Sequence, residues 1–394
     1  MKRLKFLTVA NGRRTVSFLT LSTLMLGLLV IRLGTLTHGL SIVETTIDGT
    51  VYGWDGLIHN PFFLPLAVVR SLSYHLLGHD TALLTRLPNI VFGYLAVVCF
   101  SILIRYWHGA RSTVFATALF ATSAWLLHIS RLASNDVLYL LALPLLLVVQ
   151  LAMLKQGSRA MVYYGSLAVC GALLYVPGLV WLVLLSLYWQ RASISQGWQR
   201  FRAPWQRIAY AATGLVWLPL LGYRIAHLKT LLYWLGLPSH FDVLAIGRQL
   251  LFVPVHLFIR GPHDPERWLG HTPILDLFAV VMAVLGLWFY VTHLNATRSR
   301  VLGSYLIVGT VLVALGGAVS LSVLVPIMYI FAATGMAYLL HDWLRVFPIN
   351  PVARRAGIGL VAFAVAVSCM YNLRSYFVAW PHDPTTLSLF TAKK

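Results

Sequence analysis

"SIVETTIDGTVYGWDGLIHNPFFLP", residues 41–65, carries three carboxylates, Glu44, Asp48 and Asp55, in a chain of 394 residues that has only 11 acids. The stretch directly follows the first long apolar run, and what surrounds it settles the class of protein. Hydrophobic residues make up 59% of the chain and charged residues 10%, against about 25% charged in a soluble domain. Too little polar surface is left to keep a folded body of this size in water, so the composition describes an all-α polytopic membrane protein.

The net charge of +19 does not point to nucleic acid, because the basic residues fall in short clusters between apolar runs and form no basic face. Cys99, Cys170 and Cys369 each lie inside an apolar run, which argues against a disulfide framework and against a thiolate metal site. The opening "MKRLKFLTVANGRR" is basic, but the apolar run behind it is longer than that of a secretory signal and has no small-residue cleavage site, so it reads as an uncleaved first span.

A span needs about 20 mostly apolar residues. On that measure the chain has about eleven transmembrane candidates: 16–36, 84–104, 112–130, 136–154, 160–175, 177–190, 207–226, 274–292, 301–318, 322–340 and 357–373. "YVPG", 175–178, forms the turn between the short fifth and sixth. With a cytoplasmic N-terminus, each inside segment holds at least two Lys or Arg, and the C-terminus falls outside. The acids then sort in a way that no topology rule demands. Only Asp342 is inside, while Glu44, Asp48, Asp55, Asp80, Asp136, Asp242, Asp264, Glu266, Asp276 and Asp383 sit at the outer side. Any chemistry therefore faces outward from a plasma or inner membrane.

The chain reads as one membrane domain, 1–394, with two elaborated outer loops, 37–83 and 227–273. "FFLPLAVVRSLSYHLLG", 62–78, is too short to span and predicts a helix lying along the membrane; "FDVLAIGRQLLFVPVHLFIRG", 241–261, reads similarly, with Arg248 and Arg260 interrupting the apolar surface.

Asp48 and Asp55 each precede a Gly, and at both a capping or turn role is at least as good a reading as a catalytic one. Glu44 comes only a few residues after a membrane exit, where an ionisable group is costly unless used. "HISRLASNDVLYL", 128–140, places Arg131 and Asp136 at the ends of two apolar helices, in reach of the same interface plane as Glu44. Arg32 and Arg86, with Lys229, Arg248, Arg260 and Arg267, could form a pocket for an anionic lipid headgroup, since guanidinium pairs well with phosphate, and His59 and Arg131 join Arg86, Arg248 and Arg260 as the phosphate-binding candidates. "RGPHDPERWLGHTPILD", 260–276, offers His263, Asp264, Glu266, His271 and Asp276 but no recognisable metal-ligand spacing, so a polar loop is the better reading. Nucleotide-cradling and serine-hydrolase motifs are absent from the sequence.

An acid after span one, "HNPFFLPLAVV", "LLTRLPNIVFG" opening span two and "ATSAWLLHISRLASNDVLYLL" across spans three and four together resemble the GT-C superfamily of membrane glycosyltransferases. The nearest branch is that of the protein O-mannosyltransferases and the lipid A aminoarabinose transferases. In that pattern Glu44 matches the second member of an acidic pair whose first position is Val43 here, with Asp48 or Asp55 as substitutes. His59, Asn60 and Pro61 match a basic-Pro-Pro element with one proline replaced; Arg86, Leu87 and Pro88 match an Arg-Leu-Pro, and Asp136 matches the acid that starts span four.

The resemblance covers residues 20–150. It implies a transferase that takes a sugar from a polyprenyl-phosphate donor on the outer face and passes it to a glycan, lipid or protein acceptor, with no cofactor and no metal assigned. A carboxylate would take the acceptor proton, basic residues would stabilise the leaving lipid phosphate, and the anomeric centre would invert. The rivals are a transporter or flippase of an anionic or lipid-linked substrate, and a polysaccharide ligase or polymerase. The scarcity of charge inside the later spans counts against a transporter.

Overall fold

The computed structural model describes residues 22–37, 39–41, 43–45, 61–78, 81–156, 159–200, 211, 214 and 228–390, and among these every regular element is helical. A spanning segment has no water to satisfy its backbone, so long apolar runs resolve as helices that bond internally. After α1 (22–30) come α2 (Leu64–Leu77), α3 (Ala82–His108), α4 (Ala110–Ala121), α5 (Ala124–Arg131), α6 (Val137–Gln156), α7 (Ala160–Leu173) and α8 (Leu179–Arg200). The second half holds α9 (Leu228–Trp234), α10 (Val243–Phe258), α11 (Leu277–Thr292), α12 (Thr297–Ala314), α13 (Val325–Val346), α14 (Pro351–Arg374) and α15 (Pro384–Phe390).

Four stretches among the described residues are long and apolar enough to cross a membrane: Ala82–His108, Val137–Lys155, Leu321–Val346 and Pro351–His382. The expected single span 112–130 is instead two helices, α4 and α5, bent by 58°. Side chains cause the break. Thr122 Oγ1 and Ser123 Oγ donate to Ala118 O and Phe120 O, Ser123 caps α5 through Leu126 N, and Ala124 N turns to Asn372 Oδ1 on α14. Of the other expected spans, 207–226 lies almost wholly outside the described residues, and α7 and α11 are shorter than a full span.

Both expected short helices exist, as α2 and α10. Pro65 starts α2, which buries Leu66, Ala67, Arg70 and Ser71 and exposes Leu72, Leu76 and Leu77. Asp242 caps α10 through Leu244 N and Ala245 N.

α11 and α13 are the most intimate helix pair, and two glycines permit it. A Cβ on Gly286 would lie 1.9 Å from Phe331 O, and one on Gly335 2.1 Å from Met282 O, so the backbones touch. α3 and α5 cross where Gly93 meets Ser130.

Contacts fix the order of the helix ends. The start of α3, the end of α5, the start of α6, the start of α11 and the far end of α14 meet at one end of the bundle. The end of α3 meets the start of α12 at the other, where Arg298 lies against His108.

Candidate active site

Glu44 is 2% exposed, and every hydrogen bond it makes is structural in character. Ser41 and Glu44 form a reciprocal capping box around the helical turn 43–45: Glu44 N donates to Ser41 Oγ at 3.2 Å, and Ser41 N donates to Glu44 Oε2 at 3.0 Å. Arg86, at the start of α3, grips the same carboxylate bidentately, with Nε to Oε1 and Nη2 to Oε2 both at 2.7 Å. Ala133 N adds a bond to Oε1 at 2.9 Å. Each oxygen thus has two donors. The rest of Arg86 is also spent, on Leu33 O and Gly39 O.

Two further arginines tie this end of the bundle together. Arg70 of α2, buried, donates to Asn89 Oδ1, Asn135 Oδ1 and Ser134 O, while Asn89 Nδ2 holds Leu132 O and Ser134 O. Arg131, 1% exposed, donates to Leu28 O and Ile31 O at the end of α1 and lies 5.0 Å from the Tyr376 ring and 4.8 Å from the Phe377 ring. It completes carbonyls that a helix end leaves unpaired, and its guanidinium faces protein on all recorded sides.

Asp136 sits one residue before α6 and meets the loop 259–276. Arg267 Nη1 reaches Asp136 Oδ2 at 2.7 Å with the two side chains 31% and 16% exposed, and Arg267 Nε lies 3.7 Å from Asp264 Oδ2. Burial pushes the Asp136 carboxyl above its ordinary range, against the opposing pull of Arg267 and of a hydrogen bond from Ser320. Beside Arg267, Glu266 accepts from Ser41 Oγ. Burial raises Glu266 too, with Ser41 and Arg267 working the other way.

The loop is held from behind by the chain that follows α14. Trp380 Nε1 and Thr386 Oγ1 both donate to Pro265 O, at 3.2 and 3.1 Å. Trp380 is wholly buried, stacked on Tyr376 at 5.5 Å, and Phe390 of α15 packs on its edge and lies 6.0 Å from the Arg86 guanidinium carbon. Trp268 and Trp380 together box the His128 ring, at 5.2 and 4.6 Å. This end is therefore an aromatic floor that carries three carboxylates, Asp136, Asp264 and Glu266, and one arginine at a partly open edge.

No protein-family model matches the chain, and no curated protein matches it either. Among solved structures, ArnT from Cupriavidus metallidurans in the apo state superposes with a TM-score of 0.57 at 14% identity, over 93% of this chain and 77% of that one. This chain has the ArnT fold. ArnT is the lipid A aminoarabinose transferase, a GT-C glycosyltransferase. The structure of the same ArnT bound to undecaprenyl phosphate aligns at a TM-score of 0.47 and 15% identity, over 96% of this chain and 77% of that one.

Within this ArnT-like fold, Glu44, Arg86, Arg131 and Asp136 converge on one end of the bundle, joined through Ala133 and the 132–136 connection. Asp48, Asp55 and His59 lie outside the described residues. Arg248 and Arg260 have other partners: Arg248 lies over the Phe252 ring at 5.6 Å on α10, and Arg260 Nε donates to His271 Nδ1 at 2.9 Å. The acids and histidines of 260–276 disperse to separate tasks. Asp276 caps α11 through Ala279 N and accepts from Asn372, His263 stacks on His271, and among the described residues no three such groups gather around a point.

In the sequence Arg267 was one of several outer arginines that could meet a lipid phosphate, while Glu266 was not singled out as an acid or base. The sequence did hold a signal for Glu44's partner, since Ser41 and Glu44 are the S-x-x-E of a capping box. For Glu266 there was only its place in a polar outer loop.

Proposed function

We propose that the protein is a GT-C-type glycosyltransferase that moves a sugar from a polyprenyl-phosphate donor to a hydroxyl of a glycan, lipid or protein acceptor on the outer face of the cell membrane. The observation that carries this reading is the meeting, in an ArnT-like fold, of Glu44 from the first expected outer loop, Glu266 and Arg267 from the second, and Arg86 and Asp136 from the helix starts beside them. The orientation expected from the basic residues of the sequence would put that end outside, and the exposed apolar faces of α2 and α10 suit the approach of a lipid-linked donor.

The division of labour follows from exposure. Glu44 and Arg86 fix the first loop to α3 and to the 132–136 connection, and so set the floor of the site. Asp136 holds Arg267 at the partly open edge, where a guanidinium can take up the charge that grows on the departing lipid phosphate. Arg248 and Arg260 extend the positive field along the second loop towards the membrane surface. The acceptor hydroxyl attacks the anomeric carbon from the face opposite the phosphate, loses its proton to a carboxylate, and the product is inverted.

The test is transfer of radiolabelled sugar from polyprenyl-phosphate donors in membranes that contain the protein, wild type beside Asp136→Asn and Arg267→Ala. Transfer by wild type that falls steeply in both variants supports the reading. Wild-type turnover unchanged in both would remove these residues from the site, and accumulation of a lipid-linked sugar across the bilayer with no transfer would favour a flippase.

A further inference from the structure

Within the transferase reading, on which this step rests, we infer that Glu266 of the second loop is the catalytic base, in place of the acid that follows the first span. Glu44 has no vacancy for a proton. Its two oxygens carry four hydrogen bonds, two of them from Arg86, and its side chain is 2% exposed. A proton arriving at either oxygen would displace a bond already made and leave the Arg86 charge uncompensated in the interior.

Glu266 differs on each count. It is half-buried, one oxygen accepts from Ser41 Oγ, and among the described residues no group bonds the other. It neighbours Arg267, whose guanidinium spans to Asp136, so the proton acceptor and the group proposed for the leaving phosphate occupy one short segment. The segment is not loose: Trp380 and Thr386 clamp Pro265 O from behind, and Trp268 N bonds Asp264 O at 2.7 Å in front. Such bracing holds a catalytic group in one geometry. The charged groups that face Glu266 are Arg267, Asp264 and Glu44, and the upward shift that burial gives its carboxyl brings it closer to neutral pH, where a general base works best.

The step balances as a single displacement. The acceptor oxygen bonds to the anomeric carbon as its proton passes to the free oxygen of Glu266. The bond from the anomeric carbon to the phosphate oxygen breaks with its electron pair, and polyprenyl phosphate departs against Arg267.

The experiment uses the full chain in native membranes, with undecaprenyl-phosphate-linked mannose, glucose, galactose and aminoarabinose as labelled donors and the membranes' own acceptors. Glu266→Gln is expected to lower kcat on the order of 10²–10⁴-fold with little change in the donor KM, and to abolish the acid limb of the wild-type pH profile. Glu266→Asp should restore part of the rate and bring the acid limb back. Glu44→Gln, made alone and with Arg86→Gln so that no charge is stranded, should reduce the yield of folded protein while the folded fraction keeps the acid limb. Glu266→Gln with wild-type kcat and an intact acid limb would overturn the assignment and leave the transferase reading standing. Wild type that transfers from none of the donors, while a known transferase does so in the same membranes, would overturn both.

Discussion

Two acid–arginine pairs at the same end of the molecule have the same contact distance and opposite chemistry. Glu44–Arg86 and Asp136–Arg267 both close at 2.7 Å, but the first pair is 2% exposed on both sides and the second 16% and 31%. In the interior, two charges that have lost water must be matched group by group, and Glu44 is matched by a bidentate guanidinium and two backbone N–H groups. At the partly open edge, water competes with the pair, so Arg267 can let go of Asp136 and turn to a phosphate at small cost. In the proposed reading, the first pair builds the site and the second acts in it.

That contrast breaks first where the cost is greatest. Glu44→Gln, which strands Arg86 in the interior, should destabilise the folded protein by about 3–5 kcal/mol in detergent-unfolding measurements; wild-type stability in this variant would erase the distinction between the pairs. Arg267→Ala should cost less than Glu44→Gln in the same measurement, since Arg267 keeps 31% and Asp136 16% exposure, yet slow sugar transfer on the order of 10²–10³-fold, the usual loss of a group that stabilises developing charge. A double-mutant cycle sharpens the point: the coupling of Glu44 with Arg86 should exceed that of Asp136 with Arg267 severalfold.

Ser41→Ala should cost about 1 kcal/mol, because it removes the hydroxyl half of the capping box, and it also releases the anchored oxygen of Glu266. A loss in transfer larger than the loss in stability would mark the second effect.

The smallest effect is on pH. Burial raises the folded-state carboxyl of Glu266 above its unfolded value, so its contribution to stability is full below the ordinary Glu range and is lost as pH rises through the raised value. Thermal unfolding of wild type and Glu266→Gln should therefore diverge as pH rises above the ordinary Glu range of about 4, in favour of the variant. Parallel curves would mean that Glu266 is as well solvated folded as unfolded.

Much of the architecture was legible in the chain because hydropathy sums over neighbours in sequence. The apolar runs became α3, α6, α8, α12, α13 and α14, and the two short amphipathic segments became α2 and α10. The break between α4 and α5 was not legible, since "ATSA" stays apolar enough to read through; the bend needs Asn372, from 248 residues away, to receive the freed N–H of Ala124. Arg131 likewise looked like a phosphate ligand at a helix end until α1 and the Tyr376–Phe377 turn closed over it.

By itself, the sequence determined that this is a helical membrane protein seven of whose eleven acids fall in two loops, because composition and charge spacing decide what a bilayer will accept. Only the tertiary structure decided which acid is occupied and which is available. That depends on donors 42 and 89 residues from Glu44, and on a loop that meets Asp136 from 131 residues away, and no local pattern records whether a carboxylate's lone pairs are already filled.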